Sequence, residues 1–255
     1  MKTKKTTMAT VVLAALLSSC ATHYRMDSIE RTRVLIDKSY DNTTVKAAEE
    51  FIAPFKAEVD KQMSPVVGKA ANYLYAKKPE SPLSNVLTDV LMWASEKYGE
   101  KPDFSVYNIG GMRAALAVGD VTVGDVIDVA PFENNICFVT LTGAKVRELF
   151  EQIAKQGGQG VSREVRLVIT ADGKLKSATV GGKEIDDNAQ YRIVTLDYVA
   201  QGNDHMEAFR SGTDIKLSTA QENNVRFIIM DFFRAKMAQG ESVEGKLDGR
   251  ITIEH

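Results

Sequence analysis

Gly202, Asn203, Asp204 and His205 stand next to one another in the sequence, and three of them carry side chains that can ligate divalent metals. Imidazole nitrogen, carboxylate oxygen and amide oxygen are donors from which protein metal sites are built. Two metal ions held about 3.5–4 Å apart could activate water against a phosphate ester. The stretch therefore raises the question of a two-metal hydrolytic site.

The histidine count argues against such a site. A two-metal centre needs about eight ligands, several of them histidines, whereas the chain contains His23, His205 and His255. The first lies near the N-terminus and the last ends the sequence, so His205 alone could serve the body of the domain. A lone histidine is more often a surface residue than a ligand. We predict no metal and no cofactor in this chain.

Other catalytic templates and one partner class are also disfavoured. The chain has no Gly-x-Ser-x-Gly elbow, and no Gly-Gly pair leads into the Gly-Lys-Ser/Thr of a phosphate loop. The glycines of 157–162 follow a predicted helix, the reverse of a dinucleotide-binding turn. We therefore predict no catalytic residue. A net charge of −2 is not the footprint of a nucleic-acid binder.

The N-terminal segment predicts export and lipid anchoring. Lysines at positions 2, 4 and 5 precede an apolar run at 8–17 that is too short to span a bilayer. The following "LSSC" resembles a bacterial lipobox, which predicts a signal peptide at 1–19, a lipidated Cys20 and a tether at 20–44. The alternative is an ordinary signal peptide with a chance cysteine. We expect a bacterial cell-envelope protein, anchored in the outer membrane and facing the periplasm. Cys137 would then be an inert buried thiol.

Helix and strand patterns predict one domain at 45–255, in which strands cluster in runs and helices are interspersed unevenly. Apolar residues at helical spacing indicate a helix at 45–63, with a face formed by Ala48, Ile52, Phe55 and Val59. Ser81 as N-cap, followed by Pro82, indicates a helix at 81–99. Further helices are predicted at 144–156 and 220–240, and strands at 66–75, 103–109, 135–143, 163–170, 175–180, 191–199 and 250–255. This uneven order favours an α+β fold.

Four loop motifs, in order, resemble the C-terminal, substrate-recognition domain of the 5′-nucleotidases. They are "ESPLSNVLTD" (80–89), "NIGGMR" (108–113), the stretch from "GDV" at 119 through "PFENN" to "TG" at 143, and "LDYVAQGNDHMEAF" (196–209). The resemblance covers about residues 45–255 and implies a layered α/β/β/α arrangement of mixed sheets and helices. Gly202–His205 then ends a nucleobase-binding loop and is not a metal site.

The resemblance also implies a set of substrate-binding residues. Two aromatic rings, Phe132 and Tyr198, would sandwich a nucleobase. Asn134 would recognise the edge of the base, since an amide both donates and accepts hydrogen bonds. Asp204 would accept from ribose hydroxyls, and Arg113 would reach a ribose or phosphate oxygen. Gly158 would line the same cleft.

Two departures from the family shape the functional hypothesis. Family members carry a metallophosphatase domain before this one, whereas here the predicted signal peptide and tether precede Val45. Lys77 and Lys78 stand where members often have arginines. We therefore predict a nucleotide or nucleoside recognition domain that acts with a separate metallophosphatase chain, which would hold the divalent metals. The alternatives are a stand-alone nucleoside-binding lipoprotein with no catalytic role and an autonomous esterase.

Overall fold

The computed structural model describes residues 26–40, 45–217 and 220–254. The predicted signal peptide, Cys20 and part of the predicted tether lie outside these ranges. The chain divides after Phe51 into two units. The described part of the first unit has no regular structure at 26–37, a 3₁₀ turn at Lys38–Tyr40 and the start of a helix. Within the described ranges, no helix is long and apolar enough to cross a membrane.

The helices begin where the sequence supplies caps. Ser81 is extended ahead of Pro82, and Asn224 accepts a hydrogen bond from the Arg226 N–H at 3.1 Å. The helices of the described residues are α1 (Lys46–Met63), α2 (Pro82–Ala94), α3 (Val123–Val129), α4 (Gly143–Lys155), α5 (Asp197–Ala200) and α6 (Val225–Ala238). The predicted helix at 81–99 is α2 plus a 3₁₀ turn at Ser95–Tyr98.

The strands form mixed sheets, and the layered α+β prediction is confirmed. They are β1 (Val66–Ala70), β2 (Phe104–Tyr107), β3 (Gly119–Thr122), β4 (Ile136–Thr142), β5 (Gly160–Val161), β6 (Val165–Thr170), β7 (Leu175–Val180), β8 (Lys183–Glu184), β9 (Gln190–Leu196), β10 (Thr213–Leu217) and β11 (Ile251–Glu254). Among the described residues the sheet orders are β1-β3, β10-β4-β9-β2-β5 and β11-β6-β7-β8. Helix α2 packs on β2 and β5, while α4 contacts both larger sheets.

The strand register brings three loops to one edge of the five-stranded sheet. β2 and β9 run parallel, with Phe104 beside Ile193, so their C-terminal ends lie at the same edge. β4 runs antiparallel to β9 and pairs Ile136 with Leu196, so its N-terminal end lies there too. Loops that follow or precede strands at one edge are where ligand sites concentrate. The segments 108–113, 131–135 and 197–205 therefore meet.

The motif at 80–89 anchors the C-terminal part of the chain. The Asn85 side chain donates to Glu80 Oε1 at 2.6 Å and to the Lys246 carbonyl at 2.8 Å. Asp89 receives two hydrogen bonds from Arg250, both at 2.9 Å. Only 4% of the Arg250 side chain is exposed. This motif therefore holds β11 and its preceding loop in place.

Several sequence predictions differ from the structure in their extent. The strand predicted at 66–75 ends at Ala70, and beyond it the Asn72 side chain exchanges two hydrogen bonds with the Gly245 backbone. The strand predicted at 191–199 ends at Leu196, where α5 begins. Cys137 is buried as predicted, and burial raises the pKa of its thiol to about 11.

Helix α1 forms as predicted, but its apolar face is largely exposed in the part of the chain that the structure describes. Ile52, Phe55 and Val59 are all more than half exposed, and no residue of α1 is buried. The helical spacing of apolar residues thus predicted helix α1 correctly. Such spacing normally goes with burial of the apolar face, and within the described residues that face is not buried.

Candidate ligand-binding cleft

A cleft of about 210 Å³ opens at the sheet edge where the three loops meet. It is lined by Asn108, Gly110, Gly111, Phe132, Asn134, Tyr198 and Asp204. Four of the residues predicted from the sequence, Phe132, Asn134, Tyr198 and Asp204, are therefore brought together. An apolar concave surface with a few convergent polar groups is the usual form of a small-molecule site.

The two aromatic rings at the cleft are substantially exposed. Phe132 is 48% and Tyr198 is 39% exposed, whereas Phe104, Phe138 and Phe150 are fully buried. Neither cleft ring stacks on another aromatic ring of the described residues. Contact between aromatic surface and water in a concave site is unfavourable. A flat apolar ligand bound there would remove part of that contact. The rings can stack on the faces of such a ligand.

Asp204 is held in place by a residue of its own segment, 197–205, and by a residue of the segment 108–113. The Tyr198 hydroxyl donates to Asp204 Oδ1 at 3.0 Å, and the Asn108 amide donates to Oδ2 at 2.6 Å. The hydrogen bond to Asp204 raises the pKa of Tyr198. An ionised carboxylate has about four lone-pair sites, so each oxygen can still accept from a ligand hydroxyl. Asp204 is thus a preorganised acceptor.

The backbone of the loop 202–205 turns through left-handed conformations to present this carboxylate. Gly202, Asp204 and His205 have φ values of 81°, 50° and 55°. Aspartate tolerates this region better than most residues, and glycine does so without cost. The turn directs Asp204 to the cleft, whereas 85% of the His205 side chain is exposed.

Asn108 is a cleft residue that we did not predict as part of the site. It is 3% exposed, and its Oδ1 has no hydrogen-bond partner among the described residues. A Cβ atom at Gly111 would lie 2.9 Å from that oxygen, so a larger residue there would have to displace the Asn108 side chain. A buried unpaired acceptor is costly. The sequence feature that could have identified Asn108 as a site residue is its position at the start of the "NIGG" motif.

Two predicted site residues lie beside the cleft and do not line it. Arg113 is exposed, and its Nη1 donates to the Gly110 carbonyl at 3.3 Å. Gly158 has φ 114°, and a Cβ there would lie 2.6 Å from the Pro79 carbonyl oxygen. The glycine therefore permits close contact between the segment at 158 and the loop that contains Lys78.

Lys78 supplies positive charge next to the cleft. Its Nζ donates to the Gln156 carbonyl at 2.8 Å. Partial burial lowers the pKa of Lys78, and attraction from Asp204 counteracts part of that shift. Lys78 is thus within electrostatic reach of the cleft carboxylate, although a lysine lacks the bidentate fork of an arginine. A single cationic group can still contact a phosphate oxygen.

The described residues do not provide the ligands of a two-metal centre. Among them no group of three or more histidine, cysteine, aspartate or glutamate side chains could hold a metal ion. His205 Nδ1 has a carboxylate oxygen of Glu207 4.0 Å away. The cleft can therefore bind, stack and hydrogen-bond a ligand, and we derive no metal-dependent step from it.

Comparison with known proteins identifies the relatives of this chain. A family model described as "5′-nucleotidase, C-terminal domain" matches residues 66–211. The 5′-nucleotidase of Vibrio cholerae is 26% identical over 159 residues, which cover 61% of this chain and 29% of that protein. Protein UshA of Yersinia enterocolitica is 27% identical over 156 residues, covering 60% and 28%. The chain thus spans less than a third of the length of these relatives.

Solved structures agree in fold. The 5′-nucleotidase precursor of Thermus thermophilus superposes with a TM-score of 0.70 at 24% identity, over 81% of this chain and 43% of that one. The NAD nucleotidase of Haemophilus influenzae superposes with a TM-score of 0.60 at 20% identity, over 82% and 41%. At this level of identity the structural likeness supports the fold alone.

Proposed function

We propose, since the chain belongs to the 5′-nucleotidase C-terminal domain family, that its cleft binds a nucleoside or nucleotide and that a separate metallophosphatase chain hydrolyses it. The observation that carries this proposal is the pair of half-exposed rings, Phe132 and Tyr198, at one cleft with a preorganised carboxylate. Base–aromatic stacking is worth about 1–3 kcal/mol per base. Hydrolysis of the phosphate ester lies beyond the groups of this cleft.

Each group at the cleft has a role in this proposal. The rings hold the faces of the base, and the Asn134 amide meets its edge. Asp204 accepts from ribose hydroxyls with the lone pairs that Tyr198 and Asn108 leave free. Lys78 and Arg113 face the phosphate end, where a positive charge has most effect.

Replacing Lys78 with alanine is expected to weaken the binding of AMP about 10-fold and to leave adenosine binding within about 2-fold, since a charged hydrogen bond to phosphate is lost. Isothermal titration calorimetry with both ligands measures the two dissociation constants. Lys77→Ala is the matched control, because it removes the same charge from the adjacent exposed position. Equal weakening of AMP and adenosine by Lys78→Ala would contradict the assignment.

A separate metallophosphatase chain is proposed because the described residues do not supply the donor set of a two-metal site. In a shared mechanism this chain holds the base and ribose, and so places the phosphate ester at the partner's metals. Because the bound phosphate ester is already oriented, it does not have to meet the metals by diffusion in solution. Orientation of this kind accounts for much of enzymatic rate enhancement. The lone chain would then bind without turnover.

We expect the purified chain to release no phosphate from AMP when Mn²⁺ or Zn²⁺ is added. Adding a bacterial metallophosphatase that lacks a recognition domain should restore release, and the rate should fall when Asp204→Ala replaces the wild-type chain. A colorimetric phosphate assay measures both results. Metal-dependent phosphate release by the lone chain that disappears in His205→Ala would contradict the proposal that hydrolysis requires a separate metallophosphatase chain. Nucleoside binding with no stimulation of any such metallophosphatase would favour a stand-alone binding lipoprotein.

A further inference from the structure

The loop 131–135, which we call the base loop, carries both Phe132 and Asn134. Because Phe132 is 48% exposed, packing contacts cover only part of its side chain. The ring can be in the correct place for stacking only if the backbone of the base loop is held. What holds this backbone therefore decides how well the cleft is preorganised.

The N-terminal end of α6 holds the base loop on both sides of Phe132. The Val225 N–H donates to the Asn134 carbonyl at 2.9 Å. The Arg226 guanidinium donates through Nη2 to the Pro131 carbonyl, also at 2.9 Å. These two bonds bracket Phe132 and Glu133. The second is made by a side chain, so it can be removed without altering the helix backbone.

Arg226 has no other side-chain partner among the described residues. It forms no ion pair with a carboxylate there, although other arginines of the chain such as Arg234 do. Its Nε is buried and has no hydrogen-bond partner. Leaving a buried donor unpaired is unfavourable. Arg226 thus carries an unfavourable unpaired Nε, and its one side-chain hydrogen bond among the described residues is directed at the loop that carries Phe132.

The same loop is tied to the segment that carries the second ring. The Asn135 side chain donates to Asp197 Oδ2 at 3.2 Å, and the Asp197 N–H donates to the Asn135 carbonyl at 2.9 Å. Asp197 Oδ1 accepts from the Tyr198 N–H at 2.7 Å. A displacement of the base loop would thus reach both rings, and the gap between them would change.

We propose that Arg226 is a positioning residue for base recognition: its guanidinium bond to the Pro131 carbonyl sets the place of Phe132 and, through Asn135 and Asp197, the gap between the rings. This inference rests on the proposed nucleoside-binding function. In this role Arg226 does not contact the ligand. It acts from α6, which lies beyond the segment 66–211 that the family model matches.

Hydrogen exchange tests the positioning role without any ligand. In Arg226→Met, the amides of Val225 and Asp197, which both donate to carbonyls of the base loop, should exchange about 3- to 10-fold faster, as expected for one lost hydrogen bond. Arg234→Met is the matched control, because it removes an exposed arginine from the same helix. Unchanged exchange at both amides would overturn the inference.

Ligand binding provides the second measurement, on the full chain. Arg226→Met should weaken adenosine and AMP by the same factor, about 3- to 10-fold, whereas Arg234→Met should weaken neither. Arg226→Lys can still donate one hydrogen bond to Pro131 and should restore part of the affinity; this variant carries the test if the methionine variant does not fold. In a Phe132→Ala background the Arg226→Met loss should be smaller, because the ring that it positions is gone.

The outcomes separate this inference from the proposed function. If wild-type chain binds adenosine and Phe132→Ala weakens binding while Arg226→Met does not, the positioning role is wrong and nucleoside recognition stands. An Arg226→Met loss that is undiminished in the Phe132→Ala background also overturns the positioning role. A wild-type chain that binds neither adenosine nor AMP overturns both.

Discussion

Replacing Arg250 with methionine is expected to lower the free energy of unfolding by about 3–5 kcal/mol, the usual effect of breaking a buried ion pair by removal of one partner. The Arg250 side chain is 4% exposed. It donates twice to Asp89 and also to the carbonyls of Val161 and Asn85, at 3.0 and 3.3 Å. Methionine satisfies none of these acceptors. Urea denaturation followed by circular dichroism measures the loss.

Arg163→Met is the matched control for this experiment. Arg163 pairs with the same carboxylate, its Nη2 lying 2.7 Å from Asp89 Oδ2, but its side chain is 66% exposed. Exposed ion pairs contribute about 0–1 kcal/mol. If the two variants lose the same stability, burial of Arg250 is not the cause. The comparison separates the effect of burial from the effect of charge.

Replacing either cleft ring with alanine is expected to weaken adenosine binding by about 1–3 kcal/mol, or about 5- to 150-fold in Kd, since each ring contributes one stacking face. The Phe132→Ala, Tyr198→Ala double variant should lose less than the sum of the two single losses, because both rings share one base. Titration calorimetry measures all four proteins. Their unfolding curves should coincide, since both rings are substantially exposed.

Two further variants show which property of the rings matters. Tyr198→Phe keeps the ring and removes the hydroxyl that donates to Asp204, so it should retain most of the affinity that Tyr198→Ala loses. Asn134→Ala should change the order of preference among bases, because it removes contact with the base edge and leaves stacking intact. Tight nucleoside binding by the double alanine variant would be fatal to the stacking proposal.

The sequence was sufficient to predict the residues that a short local pattern identifies. Ser81 and Pro82 marked the start of α2, because a helix cap depends on neighbours within a few residues. Phe132, Asn134, Tyr198 and Asp204 were assigned from the resemblance of their loop motifs to those of the family. All four line one cleft.

Residues whose role depends on distant partners were not predictable in this way. Asn108 bonds Asp204 across 96 positions, and Arg226 bonds Pro131 across 95. No local spacing indicates either pair. β10 was missed although Ile215 and Leu217 alternate with Asp214 and Lys216, because this run is short; all five residues of the strand are exposed. The exposure of α1 was missed because its apolar spacing resembles that of a buried helix.

The positions of Arg226 and Arg250 also bear on how this domain can be transferred between proteins. Every described cleft-lining residue lies within 66–211, the segment that defines the family. Arg226 and Arg250 lie beyond it, yet one holds the base loop and the other joins β11 to α2. A fragment transferred to another protein and ending at residue 211 would contain every cleft-lining side chain but would lack both Arg226 and Arg250. We therefore expect a transferable module to extend through β11, so that both arginines are kept.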